Sequence, residues 1–101
     1  MRNEGDVKKA VRKIINSYSN SYHFMPPANG YGRSGIPDIV GHVDGYFFAV
    51  ETKFGSNKPT ANQERELNAI HVAGAECWVV SDKTLSQWET SFRDWADSVS
   101  N

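Results

Sequence analysis

Two carboxylates and one ammonium are spaced in this sequence so that they could hold a cation and act on a phosphate. Glu51 and Lys53 lie two residues apart in a run with strand character, so both side chains leave the same face of the strand. Asp38 begins the preceding apolar run, and the dipeptide Asp44-Gly45 between the two runs predicts a tight hairpin turn. Counting outward from that turn brings Asp38 directly opposite Glu51.

Opposed carboxylates indicate metal chemistry, because they repel each other unless a cation lies between them. Mg²⁺ or Mn²⁺ suits two carboxylates together with water and phosphate oxygens, and either ion lowers the pKa of a bound water. The Lys53 ammonium could orient that water and stabilise the negative charge that develops on phosphorus. The predicted reaction is hydrolysis of a phosphodiester.

Each of these three residues also has an ordinary explanation. Asp38 follows Pro37, and aspartate is common in turns. Glu51 and Lys53 could form an exposed charge pair on an edge strand, as strand residues of this kind usually do. The joint pattern, and not any single member of it, favours a functional site.

The first half of the chain should supply a helix and three strands. Apolar residues at helical spacing predict an amphipathic helix from about residue 4 to residue 19, with Asn3 as its N-cap. This apolar stripe consists of Val7, Ala10, Val11, Ile14, Ile15 and Tyr18. A short strand at 22–25 precedes a loop rich in glycine and proline, and the hairpin strands follow at 39–43 and 46–54.

The second half should supply a helix, a strand and a last helix. Thr60 can cap a helix that runs to about Ala73, with Gly74 placed to end it. The run 76–81 has the character of a buried strand, and the order strand, helix, strand implies that it lies parallel to the 46–54 strand. The last helix is predicted from the stripe Leu85, Trp88, Phe92, Trp95 and Val99. The order αβββαβα predicts one α/β domain over residues 1–101, in which helices flank a mixed sheet that contains a β-hairpin.

Composition narrows the class of protein. With 101 residues, 39% of them hydrophobic, the chain is expected to form a globular domain. A single cysteine, Cys77, excludes an internal disulfide, and we expect this residue to be a small buried hydrophobe. No apolar run approaches the roughly 20 residues that span a bilayer, so we expect a cytoplasmic protein without a membrane partner. The net charge of −1 argues against binding nucleic acid by bulk positive charge, although basic residues cluster in the first helix.

The central residues resemble a known motif. Pro37-Asp38, a 12-residue spacer and then Glu51-Thr52-Lys53 resemble the PD-(D/E)XK nuclease signature. The fuller pattern is similar to the VRR-NUC branch of that superfamily, whose compact stand-alone members include phage proteins. This pattern consists of Glu4 in an N-terminal helix, Gly35-Ile36-Pro37-Asp38, Glu51-Thr52-Lys53 and Gln63. The resemblance covers residues 4 to about 81.

The resemblance implies a restriction-endonuclease-like core and a specific division of roles. Asp38, Glu51 and the backbone carbonyl of Thr52 would bind Mg²⁺ or Mn²⁺, and Lys53 would be catalytic. In similar proteins the helix glutamate joins the metal shell directly or through water, and the glutamine of the following helix orients the site. The stand-alone members resemble Holliday-junction resolvases and act as homodimers. These features imply an endodeoxyribonuclease that acts on branched DNA, in the cytoplasm of a bacterial host if it is phage-encoded.

The two accessory residues have structural alternatives. Thr60-Ala61-Asn62-Gln63 fits a capping box, in which Gln63 reaches back to the backbone of Thr60. Glu4 could act only as a favourable acid at a helix N-terminus. The sequence leaves both alternatives open.

Several basic and aromatic residues are candidates for DNA contact. Arg33 could grip a phosphate and Tyr31 could stack at a distorted junction, although a solvated glycine-rich loop explains them equally well. Further candidates are Lys58, near the site, and Lys9 and Arg12 in the first helix. The three histidines lack zinc-ligand spacing and are predicted to be structural.

Two other functions compete with a free-standing nuclease. One is a non-catalytic module for nucleic-acid binding or assembly, which would keep the fold without the chemistry. The other is the nuclease subunit of a larger restriction or repair complex. Opposed carboxylates argue against the first, because a module without catalysis has no use for them.

Overall fold

A computed structural model describes residues 1–27 and 34–101, and these residues form one four-stranded mixed sheet with three flanking helices. The strands lie in the order β1-β2-β3-β4 across the sheet. The elements are α1 (Glu4–Asn16), β1 (Ser21–Phe24), β2 (Ile39–Val43), β3 (Tyr46–Thr52), α2 (Ala61–Val72), β4 (Glu76–Val80) and α3 (Leu85–Val99). The predicted α/β class and the order αβββαβα are confirmed.

The β2-β3 hairpin has the predicted register. Asp44 and Gly45 both have positive φ, 49° and 85°, as a tight two-residue turn of this kind requires. Strands β2 and β3 pair antiparallel from Val43 opposite Tyr46 to Ile39 opposite Val50. One step further along the same register places residue 38 opposite residue 51. The turn therefore sets the positions of the two carboxylates.

The parallel neighbour of β3 is β4, and α2 is the crossover between them. The pairing continues past the end of β3, because the Lys53 N–H donates to the Val80 carbonyl at 2.8 Å. Helix α2 begins at a capping box that Thr60 and Gln63 form. β3 thus pairs with β2 as far as Val50 and with β4 along the end that carries its functional residues.

The main core lies on the sheet face that α1 and α3 cover. Phe48 and Val50 point to this face from β3, and the intervening residues Ala49 and Glu51 point to the opposite face. The buried members of the core are Val7, Val11 and Ile15 from α1, Ile39, Val43, Phe48, Val50 and Val80 from the sheet, and Trp88, Phe92 and Ala96 from α3. Because Val7 and Val11 are fully buried, the first turns of α1 are fixed against the sheet.

Two elements are shorter than the sequence predicts. Helix α1 ends at Asn16, because the Ser17 hydroxyl donates to the Ile14 carbonyl and begins a turn, while Tyr18 still packs on Phe92 from outside the helix. Strand β3 ends at Thr52, because Gly55 adopts a positive φ of 65° and its N–H donates to the Asp82 carboxylate at 2.7 Å. The ends of both elements depend on local or tertiary hydrogen bonds, which the spacing of apolar residues does not reveal.

Cys77 is half-buried, not fully buried as the sequence suggests. Its thiol donates to the Leu67 carbonyl of α2 at 3.4 Å, and burial raises the pKa of that thiol. The residue therefore joins β4 to α2 on the face opposite the main core. Within the parts of the chain that the structure describes, no helix has the length and apolarity that crossing a membrane would require.

Gly35 holds the segment before Asp38 against the start of α2. Its φ is 82°, and a Cβ at this position would lie 2.4 Å from the Asn62 carbonyl oxygen. The Asn62 side chain also donates to the Ser34 hydroxyl at 2.7 Å. Only glycine allows this close approach without strain, so the Gly35-Ile36-Pro37 segment fixes Asp38 relative to α2.

Candidate active site

Asp38 and Glu51 meet at the end of the β2-β3 hairpin. The Asp38 backbone N–H donates to Glu51 Oε1 at 3.1 Å, which ties the start of β2 to the end of β3. The Glu51 side chain is only 1% exposed, whereas the Asp38 side chain is 23% exposed. The two predicted carboxylates are therefore brought together, one buried and one open to solvent.

The two oxygens of Asp38 have different surroundings. Oδ2 accepts two hydrogen bonds from Thr52, one from its N–H at 3.0 Å and one from its hydroxyl at 2.7 Å. The neighbour of Oδ1 is the Lys8 ammonium, at 4.0 Å. Thr52 therefore fixes the orientation of the Asp38 carboxylate and leaves Oδ1 available to a cation. The family resemblance implied a role only for the Thr52 backbone carbonyl, and the contacts of its N–H and hydroxyl with Asp38 were missed.

Glu51 is a buried carboxylate with two donors on one oxygen. Its Oε2 accepts from Gln63 Nε2 at 2.6 Å and lies 3.4 Å from the Lys53 ammonium. Burial and, after it, the negative charge of Asp38 raise the pKa of Glu51 to about 7, although Lys53 opposes both effects. A carboxyl with this pKa is partly protonated at neutral pH, and a bound cation would favour its charged form.

Gln63 makes the contacts expected of both alternatives that the sequence left open. Its Oε1 accepts from the Thr60 N–H at 2.8 Å, and its own N–H donates to the Thr60 hydroxyl at 3.2 Å, which completes the capping box. The same side-chain amide uses its nitrogen to donate to Glu51. Gln63 thus helps to satisfy the backbone N–H groups at the start of α2 and also binds the buried carboxylate of Glu51.

We expect Thr60→Ala and Gln63→Ala to separate these two roles. Each substitution removes one half of the capping box and should lower the unfolding free energy by about 1 kcal/mol. Only Gln63→Ala also removes a donor to Glu51, so only this variant should bind Mn²⁺ more weakly. Urea denaturation and Mn²⁺ titration of both variants provide the measurement. Equal Mn²⁺ affinity in the two variants would mean that Gln63 acts only as a cap.

Helix α1 brings an unexpected lysine to the site. Lys8 lies one helical turn after Glu4, so the two side chains share a face of α1. From the sequence, Lys8 was counted only among the basic residues that cluster in the first helix. Glu4 itself is half-buried in the first turn of α1, and its role in a metal shell stays a prediction.

The donor set fits a hard divalent cation in part. Asp38 and Glu51 offer carboxylate oxygens, the ligand type that Mg²⁺ and Mn²⁺ prefer. Across residues 1–27 and 34–101, no three His, Cys, Asp or Glu side chains are grouped closely enough to form a complete metal site. Two carboxylates and the Thr52 carbonyl would leave the remaining positions to water and substrate, as is usual for Mg²⁺.

The predicted DNA contacts have different outcomes. Tyr31 and Arg33 lie outside the described residues, and Lys58 is exposed on the segment that follows β3. Lys9 and Arg12 line an open surface cavity of about 440 Å³ on α1; its other lining residues are Lys13, Asn16 and Ser17.

Arg12 is held in place on the wall of this cavity. Its Nε donates to His23 Nε2 at 3.1 Å. Burial, aided by the Arg12 charge, lowers the pKa of His23, so that the imidazole stays neutral and accepts this bond. The structural role that the sequence predicted for His23 is consistent with this contact.

The fold is shared with known structures. Four chains of solved structures match this chain. One of them, described as a VRR_NUC domain, is 29% identical with a TM-score of 0.69, and the match covers 83% of this chain and 90% of that chain. No protein-family model and no curated protein matches the sequence.

Proposed function

The chain has the VRR-NUC fold of the PD-(D/E)XK nucleases, and on that premise we propose that it is a Mg²⁺- or Mn²⁺-dependent endodeoxyribonuclease. The observation that carries this proposal is the opposition of Asp38 and Glu51 with the Lys53 ammonium 3.4 Å from Glu51. Glu51 is buried beside a second carboxylate, and this arrangement costs folding free energy that a bound cation would offset. A nuclease site accounts for that cost.

The proposed reaction is the attack of water on a phosphodiester. A divalent cation held by Asp38, Glu51 and the Thr52 carbonyl would supply Lewis acidity and a more acidic bound water. Lys53 would orient the attacking water and stabilise the charge that develops on the phosphoryl oxygens. Oxygen from water forms a new bond to phosphorus and the water proton passes to solvent. One phosphorus–oxygen ester bond breaks, and its leaving oxygen takes up a proton from solvent to give an alcohol. Gln63 and Thr52 would hold the two carboxylates in their productive orientation.

Cleavage of labelled DNA tests this function. A four-way junction, a matched linear duplex and a single strand are incubated with Mg²⁺, Mn²⁺ or EDTA. We expect cutting with either metal and none with EDTA. If the metal binds and no DNA is cut, the proposal is wrong and a non-catalytic binding module takes its place. Weak, unspecific nicking of every substrate would indicate a subunit whose specificity lies in another protein.

We further propose that the preferred substrate is branched DNA and that the active form is a homodimer. Two active sites could then cut two strands of one junction. An apolar surface supports this view, because Tyr22, Phe24 and Phe47 are 61%, 50% and 45% exposed on the sheet face opposite the main core. The same cleavage reactions should give paired symmetric cuts in the junction, and light scattering should give twice the chain mass of 11.3 kDa. A monomer that cuts linear duplex equally well would contradict both points.

A further inference from the structure

Lys8 is a second cation at the carboxylate pair, and it comes from a different element than Lys53. We propose that Lys8 neutralises Asp38 in the metal-free protein and contacts a phosphate of the nucleic acid once a divalent cation occupies Asp38. This inference rests on the proposed nuclease function. It adds to the site a substrate-binding residue on α1.

The Lys8 ammonium lies close to Asp38 but does not form a hydrogen bond with it. The distance of 4.0 Å between Lys8 Nζ and Asp38 Oδ1 is too long for a hydrogen bond, although it is short enough for attraction. Oδ2 already accepts two bonds from Thr52, so Oδ1 is the oxygen that a cation would take. A cation there would repel the Lys8 ammonium from its present position.

The two lysines can balance the charges of the pair when both carboxylates are ionised. Asp38 and Glu51 then carry two negative charges, and each has a lysine beside it, Lys8 at 4.0 Å and Lys53 at 3.4 Å. A divalent ion would add two positive charges and leave the ammonium of Lys8 without its carboxylate. A phosphodiester bound at the metal would then offer Lys8 a new anion, in addition to Glu4 one turn earlier on the same face of α1. The flexible stem and three donors of lysine suit this exchange.

The backbone at Lys8 is held in place by the packing of α1, and other basic residues follow Lys8 along this helix. Val7, its neighbour in sequence, and Val11 are fully buried, so α1 does not move freely over the sheet. Arg12 lies one turn after Lys8 on the same side of α1 and lines the surface cavity described above. A phosphate backbone that leaves the site along α1 would therefore meet Lys8 first. The simpler alternative is a surface ion pair of little consequence, because Lys8 is 29% exposed.

Binding measurements on Lys8→Gln distinguish these alternatives. Mn²⁺ is titrated into the protein without DNA, and a short linear duplex is titrated in Ca²⁺ over a series of salt concentrations. Removal of the competing ammonium should tighten Mn²⁺ binding by about threefold or more. Loss of one phosphate contact should weaken duplex binding and reduce the slope of log K against log salt by about 1. The same substitution thus acts in opposite directions on the two ligands.

Two control variants accompany this test. Lys8→Arg keeps the charge and should stay close to wild type in both titrations. Lys83→Gln removes one charge from the exposed segment between β4 and α3 and should leave Mn²⁺ affinity unchanged.

Each other outcome has a definite meaning. Weaker binding of both ligands to Lys8→Gln would show a structural ion pair, and unchanged binding of both would show a solvated lysine; either result overturns the inference. Tighter Mn²⁺ binding with an unchanged salt slope overturns the phosphate contact. If the wild-type protein neither binds Mn²⁺ nor cuts DNA, the proposed function fails. If the wild type does both and only Lys8→Gln gives no effect, the inference about Lys8 fails alone.

Discussion

Lys53→Ala is expected to slow DNA cleavage severely while the protein remains folded and still binds Mn²⁺. The Lys53 side chain is 14% exposed, and its ammonium lies beside Glu51 where a metal-bound water and a phosphate would meet. Removal of one preorganised group that stabilises developing charge costs about 10²–10³ in kcat. Single-turnover cleavage of labelled junction DNA measures this loss directly.

The conditions of that experiment must separate catalysis from metal binding. Lys53 opposes the upward shift of the Glu51 pKa, so its removal should make Glu51 harder to ionise. We therefore expect Lys53→Ala to bind Mn²⁺ more weakly at pH 6. At pH 8.5 Glu51 is ionised and a competing ammonium is gone, so this variant should bind Mn²⁺ at least as tightly as wild type. Cleavage is compared at pH 8.5 with saturating metal, and Lys83→Ala serves as the exposed-lysine control. Cleavage by Lys53→Ala within a factor of about ten of wild type would exclude Lys53 as the catalytic residue.

The opposed carboxylates could be predicted because a local signal determines them. Asp44-Gly45 selects a two-residue turn, and such a turn sets the pairing of every residue that follows on both strands. Counting from it brought Asp38 opposite Glu51 with no knowledge of the tertiary fold. The observed register from Val43 opposite Tyr46 to Ile39 opposite Val50 agrees with that count. Register is a short-range property, and the site lies only a few residues from the turn.

Other features of the site depend on contacts between distant segments. The proximity of Lys8 and Asp38 depends on how α1 packs on the sheet, which helical periodicity alone does not determine. The almost complete burial of Glu51, and with it the raised pKa, requires α2 to bring Gln63 over the end of β3. Gln63 shows a further limit, because the sequence offered two alternative roles and could not show that the two ends of one side-chain amide make both contacts. Its oxygen caps the helix and its nitrogen binds the carboxylate.

The same burial of Glu51 should make the stability of the metal-free protein depend on pH. The folded pKa of about 7 lies above the ordinary value of 4.5, so the folded state holds this proton more tightly than the unfolded chain does. The contribution of Glu51 to stability is therefore fully present below about pH 4.5 and is lost as the pH rises through 7. The total loss is at most about 3 kcal/mol, from 1.36 kcal/mol per unit of pKa.

Glu51→Gln should remove this pH dependence and, with it, metal binding. Urea unfolding at pH 5, 6, 7 and 8 without metal gives the free energy of both proteins, and their difference isolates Glu51. The difference is needed because the lowered pKa of His23 acts in the opposite direction, so that its contribution is lost as the pH falls. Glu64→Gln, at an exposed position of α2, should change none of these slopes.

Metal should reverse the effect in the wild type alone. A divalent cation favours the ionised form of Glu51, so Mn²⁺ should stabilise the wild-type protein more at pH 8 than at pH 5 and should leave Glu51→Gln nearly unchanged. A wild-type protein whose stability gain from Mn²⁺ is the same at both pH values would mean that Glu51 is not a ligand. The cost of ionising Glu51 and its affinity for metal then have the same cause. Burial lowers the stability of the metal-free protein above pH 7, and a bound cation offsets this cost by neutralising the buried carboxylate.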